Sequence, residues 1–167
     1  RPDPLPKFLD DHDAAKLMAA ARASTDARDR LIVELLARTG MRASEVCELA
    51  ADAVVLIGDS HWLRVPLGKL RNDRYVPLHP DLIALVVRWT ADNVDHIRTH
   101  RRLLADHRGP IDRHALARVV KRIGRRAGVT VHPHQLRHTL ATQAINRGMR
   151  LEAIAALLGH RTMHMTL

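Results

Sequence analysis

Apolar residues in this chain recur mostly every three or four positions, the spacing of helices with one buried face. Beginning at Asp10, Ala14, Leu17, Met18 and Ala21 mark a first helix, and Ser24, Thr25 and Asp26 supply a stop and a new N-cap. Leu31, Ile32, Leu35 and Leu36 stripe a second helix that closes at Thr39-Gly40, where glycine suits a left-handed cap. A short helix over residues 44–50 follows.

The period then changes. Residues 54–57, 62–65 and 74–78 are short runs rich in β-branched or aromatic side chains, separated by Gly58-Asp59-Ser60 and by residues 68–73. They predict a small antiparallel meander. His79-Pro80 restores the helical pattern, with proline at a first helical position and Leu82, Leu85, Val86 and Trp89 facing inward. Asp112 can cap another helix, in which Ala115, Leu116, Val119, Val120 and Ile123 pack while Arg113, Lys121, Arg122, Arg125 and Arg126 face solvent or phosphate. Gly128 ends it. A further helix runs from His132-Pro133 to about Ile145, and residues 151–158 form a last amphipathic segment before Gly159. The pattern predicts a mainly α protein with a small three-stranded antiparallel sheet, an α+β domain over residues 9–167. Residues 1–8, rich in proline, read as a linker.

Composition narrows the class. At 167 residues the chain suits one domain with a real core. Its net charge of +9 is uneven: residues 1–90 hold 13 basic and 13 acidic side chains, and the remainder 14 and 5. A lopsided basic chain points to a polyanion, most often nucleic acid. No stretch approaches the ~20 apolar residues of a membrane span, and the N-terminus lacks the apolar core of a signal peptide. The one cysteine, Cys47, sits in an apolar run and reads as a structural thiol suited to a reducing cytoplasm. Four aromatic residues, Phe8, Trp62, Tyr75 and Trp89, are too few to stack unpaired bases, so a DNA partner is expected to be duplex.

Four segments carry candidate chemistry. In His132-Pro133-His134-Gln135-Leu136-Arg137-His138, His134 and Arg137 share a helical face near an N-terminus whose dipole favours an anion. A histidine and an arginine at that spacing are also common on ordinary helices. Thr39-Gly40-Met41-Arg42-Ala43-Ser44-Glu45 puts an arginine between a glycine turn and a helix, with Glu45 placed to hold its planar fork; a plain surface ion pair reads equally well. Lys69 lies in the turn between the second and third strands, either solvated or able to donate a proton to a departing alkoxide. His160 follows a glycine helix stop in Leu157-Leu158-Gly159-His160.

In that order, TGMRASEVCEL, GKLRNDRYVPL, HPHQLRHTLAT and LLGHRT resemble the tyrosine recombinase (phage integrase) family, from about Pro4 to the end of the chain. The resemblance implies the catalytic-domain fold of that family, site-specific recombination or integration of duplex DNA, and no cofactor. By position it implies that Arg42 and Arg137 clamp the scissile phosphate and that Glu45 supports the first of them. It further implies Lys69 as general acid, His134 as the histidine of the H-x-x-R pair, and His160 as the second histidine, bonded to a non-bridging phosphate oxygen. Arg71, Arg74, Arg113, Lys121, Arg122 and Arg125 are the expected DNA contacts. A preceding DNA-binding domain, a tetramer on DNA and a prokaryotic, nucleoid-associated place in the cytoplasm are implied as well.

Two departures stand out. Leu70 and Asn72 occupy positions where the family often has glycine and a second basic residue. The nucleophilic tyrosine, which in the family typically lies nine residues after the second histidine, would fall two residues past Leu167, so the chain is expected to be a catalytic domain cut before its nucleophile. Tyr75 belongs to a strand pattern and reads as a packing residue.

Two other readings compete. Residues 139–160 also look like helix, glycine turn, helix, which suits a non-catalytic helix-turn-helix module. Glu152-Ala153-Ile154-Ala155-Ala156-Leu157-Leu158 is, however, too apolar to read bases. His134 with His138, and His160 with His164, have a spacing that zinc ligands use, but without an HExxH glutamate or a cysteine pair, so no metal is expected.

Overall fold

A computed structural model describes residues 9–66 and 73–136. Helix α1 (Asp11–Ala23) starts at Asp10, whose carboxylate accepts from the Asp13 amide at 2.7 Å. Helix α2 (Ala27–Thr39) starts at Asp26, which accepts from the Arg28 and Asp29 amides, and ends at Gly40 with φ 67°. Each cap satisfies amide groups that a helix start leaves unpaired. Helix α3 (Ala43–Cys47) follows after three residues, one turn long.

Strands β1 (Val54–Ile57), β2 (Ser60–Val65) and β3 (Arg74–Pro77) pair antiparallel in sequence order. Along β3 burial alternates strictly, so Arg74 and Val76 face inward while Tyr75 and Pro77 face out. Leu63 and Val65 of β2 join Val76 in the core. The β1–β2 turn is tighter than the sequence suggests. Gly58 takes φ 65° and Ile57 pairs with Ser60, which starts β2 two residues earlier than its apolar run.

Helix α4 (Pro80–Asp92) is capped by His79, whose Nδ1 accepts from the Asp81 amide at 3.1 Å. Two elements not expected from the sequence come next. Helix α5 (Val94–His100) has Ile97 as its one buried residue, and β4 (Ala105–Asp106) pairs with β5 (Gly109–Pro110) in a two-residue ladder. Both are too short and too polar to produce a periodic signal. Tertiary contacts hold them: Trp89 Nε1 donates to the Leu103 carbonyl at 2.8 Å, and the Leu103 amide donates to the Leu49 carbonyl at 2.9 Å.

Helix α6 (Arg113–Ala127) packs on α1, α2 and α3. Its predicted stripe, Leu116, Val119, Val120 and Ile123, is fully buried against Leu17, Leu31, Ile32 and Leu35. Glycine inside a helix costs about 1 kcal/mol relative to alanine, and Gly124 has a reason to be there. A Cβ at this position would lie 2.6 Å from the Val129 carbonyl oxygen and 2.8 Å from Val131 Cγ1. The gap lets the chain double back after Gly128 (φ 72°), its Val129 amide bonded to the Gly124 carbonyl at 2.8 Å. Residues 133–136 then begin a new helical turn. The rest of that predicted helix, the segment over residues 151–158 and the linker over residues 1–8 lie outside the described residues.

Charged side chains tie the layers together. Arg108, on the β4–β5 turn, bonds Asp106 at 2.7 Å and reaches Asp26 at the start of α2 at 3.0 Å. Burial works against ionising Asp26 and Asp106, but the Arg108 hydrogen bonds and charge prevail and hold both carboxyls below the usual range. Glu34, almost fully buried on α2, is bracketed by Arg30 at 2.9 Å and Arg38 at 3.3 Å.

Candidate functional site

The turn from α2 to α3 is built to push one arginine outward. Thr39 donates its hydroxyl to the Leu35 carbonyl and accepts from the Met41 amide at 3.3 Å. Gly40 reverses the chain in the left-handed conformation, and Met41 drops into the core at 1% exposure. Arg42 follows as the N-cap of α3, its side chain 47% exposed. A guanidinium has no acceptor, so only the return arm of a capping box forms: Glu45 Oε1 accepts from the Arg42 amide at 2.7 Å.

Two other parts of the chain converge on this turn. The fold-back after α6 delivers His132, Pro133 and His134, and the His132 amide donates to Gln135 Oε1 at 2.7 Å, fixing the first turn of the new helix. The first turn of α6 contributes Arg113. Together Met41, Arg42, Ala43, Ser44, Arg113, His132, Pro133 and His134 line an open cleft of about 340 Å³. It is large enough for a phosphodiester, and among the described residues its lining holds two arginines and two histidines and no carboxylate. Arginine and histidine donors fixed in such a wall stabilise a phosphoryl anion.

Several expected site residues fall in or beside this cleft. Arg42 and His134 share it although 92 residues separate them. Glu45 is behind it, 8% exposed, with Oε2 3.9 Å from Arg42 Nη1. Arg113, read in sequence as one of several backbone contacts on a helix, is singled out by its place in the cleft. Its signal was its position directly after the capping Asp112. Lys121 and Arg125 are exposed on the same helix, about 12 and 18 Å farther along its axis from Arg113 by helical rise. Lys69, Arg71, Arg137 and His160 lie outside the described residues.

Two expected DNA contacts need correction. Arg74 faces inward from β3 and donates through Nη2 to Glu45 Oε1 at 2.9 Å, with the two side chains 9% and 8% exposed. Arg122 is committed to Asp29 of α2 by two parallel bonds of 2.9 Å, which raise its pKa; the Asp29 side chain is 1% exposed. In both cases a carboxylate distant in sequence claims the cation. Tyr75 also differs from its reading. It is 48% exposed on the outer face of β3, opposite Arg74 and so away from Glu45.

Cys47 on α3 is half-buried, and burial pushes its thiol up to about 11. Among the described residues no three His, Cys, Asp or Glu side chains gather as metal ligands, and no helix is long and apolar enough to cross a membrane. His138, His160 and His164 are not among those residues.

The fold and the cleft define an α+β domain that brings arginines and histidines from three parts of the chain around one anion-sized opening. The chain belongs to the phage integrase family, whose sequence profile matches residues 7–167. It is 33% identical to the tyrosine recombinase XerA of Pyrococcus furiosus over 99% of its own length and 57% of the relative's. To the tyrosine recombinase XerC of Bacillus subtilis it is 31% identical, over 97% of this chain and 56% of that one. The chain thus spans little more than half the length of these relatives. In structure it matches the crystal structure of XerA recombinase with a TM-score of 0.83 at 29% identity, over 99% of this chain and 60% of that one. A lambda integrase dimer bound to a core site shares the fold with a TM-score of 0.71 at 20% identity, over 99% and 61% of the two chains.

Proposed function

We propose that this chain is the catalytic domain of a tyrosine-type site-specific recombinase that cuts and rejoins duplex DNA. The observation that carries the reading is the meeting of Arg42, Arg113 and His134 in one cleft without a carboxylate in its wall among the described residues. A scissile phosphate seated there passes through a pentacovalent state whose equatorial oxygens gain negative charge. Arg42 and Arg137 neutralise that charge, with His160 bonding a non-bridging oxygen. A tyrosine, by count two residues past Leu167, attacks phosphorus. His134 accepts its proton and Lys69 protonates the departing 5′ oxygen. The phosphodiester energy is kept in the 3′-phosphotyrosyl link, so the strand can be resealed to a new partner without ATP or a cofactor.

Arg113, Lys121 and Arg125 hold neighbouring backbone phosphates along α6, and Arg71 adds a contact from the hairpin. A lambda integrase tetramer bound to a Holliday junction shares this fold, which supports assembly of four protomers on DNA. A helix-turn-helix module is the weaker reading, since it gives the cleft no task. The protein works on the prokaryotic nucleoid, in the cytoplasm.

The test uses a chain extended through the expected tyrosine and a nicked duplex that traps the covalent adduct. The extended parent accumulates adduct, whereas Arg42→Ala and Arg137→Ala do not. Adduct at the parental rate in either variant, or adduct mapped to Tyr75, would sink the assignment.

A further inference from the structure

The Glu45 carboxylate stands between two arginines and treats them differently. Oε1 accepts from Arg74 Nη2 at 2.9 Å inside the protein, while Oε2 lies 3.9 Å from Arg42 Nη1, beyond hydrogen-bond reach. Arg74 is 9% exposed and enters from β3; Arg42 is 47% exposed and lines the cleft. We propose that Arg74 is a positioning residue for the phosphate chemistry: by occupying the Glu45 carboxylate from behind, it keeps Arg42 directed to an anion in the cleft instead of collapsed onto Glu45.

Elementary electrostatics supports this division. A carboxylate buried to this degree must be paired, because an uncompensated buried charge is strongly unfavourable. Among the described residues two cations are within reach, and the one held at short distance satisfies it. The other is left to serve an external phosphate. Without Arg74, the cation beside the same carboxylate among the described residues is Arg42. A shift of about 1 Å by a flexible guanidinium would close that pair, and misplacement by an ångström at a reacting centre is enough to cost ~100-fold in rate. Glu45 also caps α3 through the Arg42 amide, so its position and the start of Arg42's helix move together.

The inference rests on the proposed phosphate chemistry at Arg42. Its test therefore pairs a normal duplex with one carrying a methylphosphonate at the scissile position, whose lost oxygen charge removes the demand on Arg42. In the extended chain, with folding verified by melting curves, Arg74→Met is expected to slow adduct formation about 10- to 100-fold on the normal phosphate. On the methylphosphonate the same change should slow it less than about 5-fold. Arg74→Lys, which keeps the charge, stays near the parent. Adding Glu45→Gln to Arg74→Met recovers rate, since the group that captures Arg42 is gone. Equal slowing on both substrates, or a double variant no faster than Arg74→Met, would show that the pair is only structural and would overturn the proposal. Arg42→Ala run alongside separates the two levels: if it forms adduct at the parental rate, the site itself is misassigned, whatever Arg74 does.

Discussion

Replacing Arg122 by alanine separates a structural cation from a DNA-binding one. The Asp29 side chain is 1% exposed and receives both Arg122 bonds at 2.9 Å, while Arg122 is 41% exposed. Losing one partner of a fully buried pair costs about 3–5 kcal/mol, and losing an exposed pair about 0–1 kcal/mol. With one end buried and the other open to screening water, the expected cost is about 2 kcal/mol. For a domain of this size that lowers Tm by about 4–8 °C. Duplex affinity measured across a salt series should keep its parental slope, because the guanidinium does not face phosphate. Arg125→Ala is the control: exposed on the same helix, it should melt within about 0.5 kcal/mol of the parent and reduce the salt slope by about 1. If Arg122→Ala melts with the parent and its salt slope falls by about 1 instead, the assignment of Arg122 to Asp29 is wrong.

Three further outcomes follow from the packing and the charges. Gly124→Ala gains about 1 kcal/mol of helix propensity but drives a methyl group into the Val129 carbonyl and Val131, an overpacking cost of about 1–3 kcal/mol; urea melts should show net destabilisation, and a variant as stable as the parent would mean the fold-back is not seated on α6. Arg108→Met removes the cation that holds Asp26 and Asp106 below the usual carboxyl range. Groups with depressed folded pKa stabilise above their unfolded values and stop doing so as pH falls through the folded ones, so the deficit of this variant should be full at pH 7 and shrink as pH falls below the ordinary carboxyl range; a deficit independent of pH would count against the ion pairs. Cys47, with its thiol pushed up to about 11, should react with an aromatic disulfide at pH 8 at least about 100-fold more slowly than a small free thiol, and reaction as fast as the free thiol would contradict its burial.

The elements that could be read from the sequence are those whose signals are local. Asp26, His79-Pro80 and Asp112 announce α2, α4 and α6 within one turn, and the apolar stripes behind them run for three or four turns. The meander was legible for the same reason, from runs of β-branched residues broken by glycine. Helix α5 and the β4–β5 pair were not, because their stability comes from Leu103, Trp89 and Arg108 meeting partners elsewhere in the chain. At the site, Arg42 and His134 were legible through glycine and proline turns that set the start of a helix. Arg74 and Arg122 were misread because the carboxylates that claim them lie 29 and 93 residues away. Periodicity reports which face of one element a residue occupies, not what packs against that face.

The division of charge along the sequence takes on a different meaning in the fold. Residues 1–90 are balanced, which on a surface map would suggest a neutral half. Yet four of the thirteen acids there are turned inward or paired: Asp29, Glu34 and Glu45 are buried, and Asp26 caps α2 beneath Arg108. They act as internal counter-charges, two of them for cations from the basic half, Arg108 and Arg122. The first half therefore presents more positive charge to solvent than its composition indicates, and the second half less. That exchange explains how the cleft draws one arginine, Arg42, from the balanced half and another, Arg113, from the basic half. On the reading proposed above, an arginine serves phosphate where no buried carboxylate is within reach among the described residues, and where one is, as at Arg42, a second arginine stands behind it.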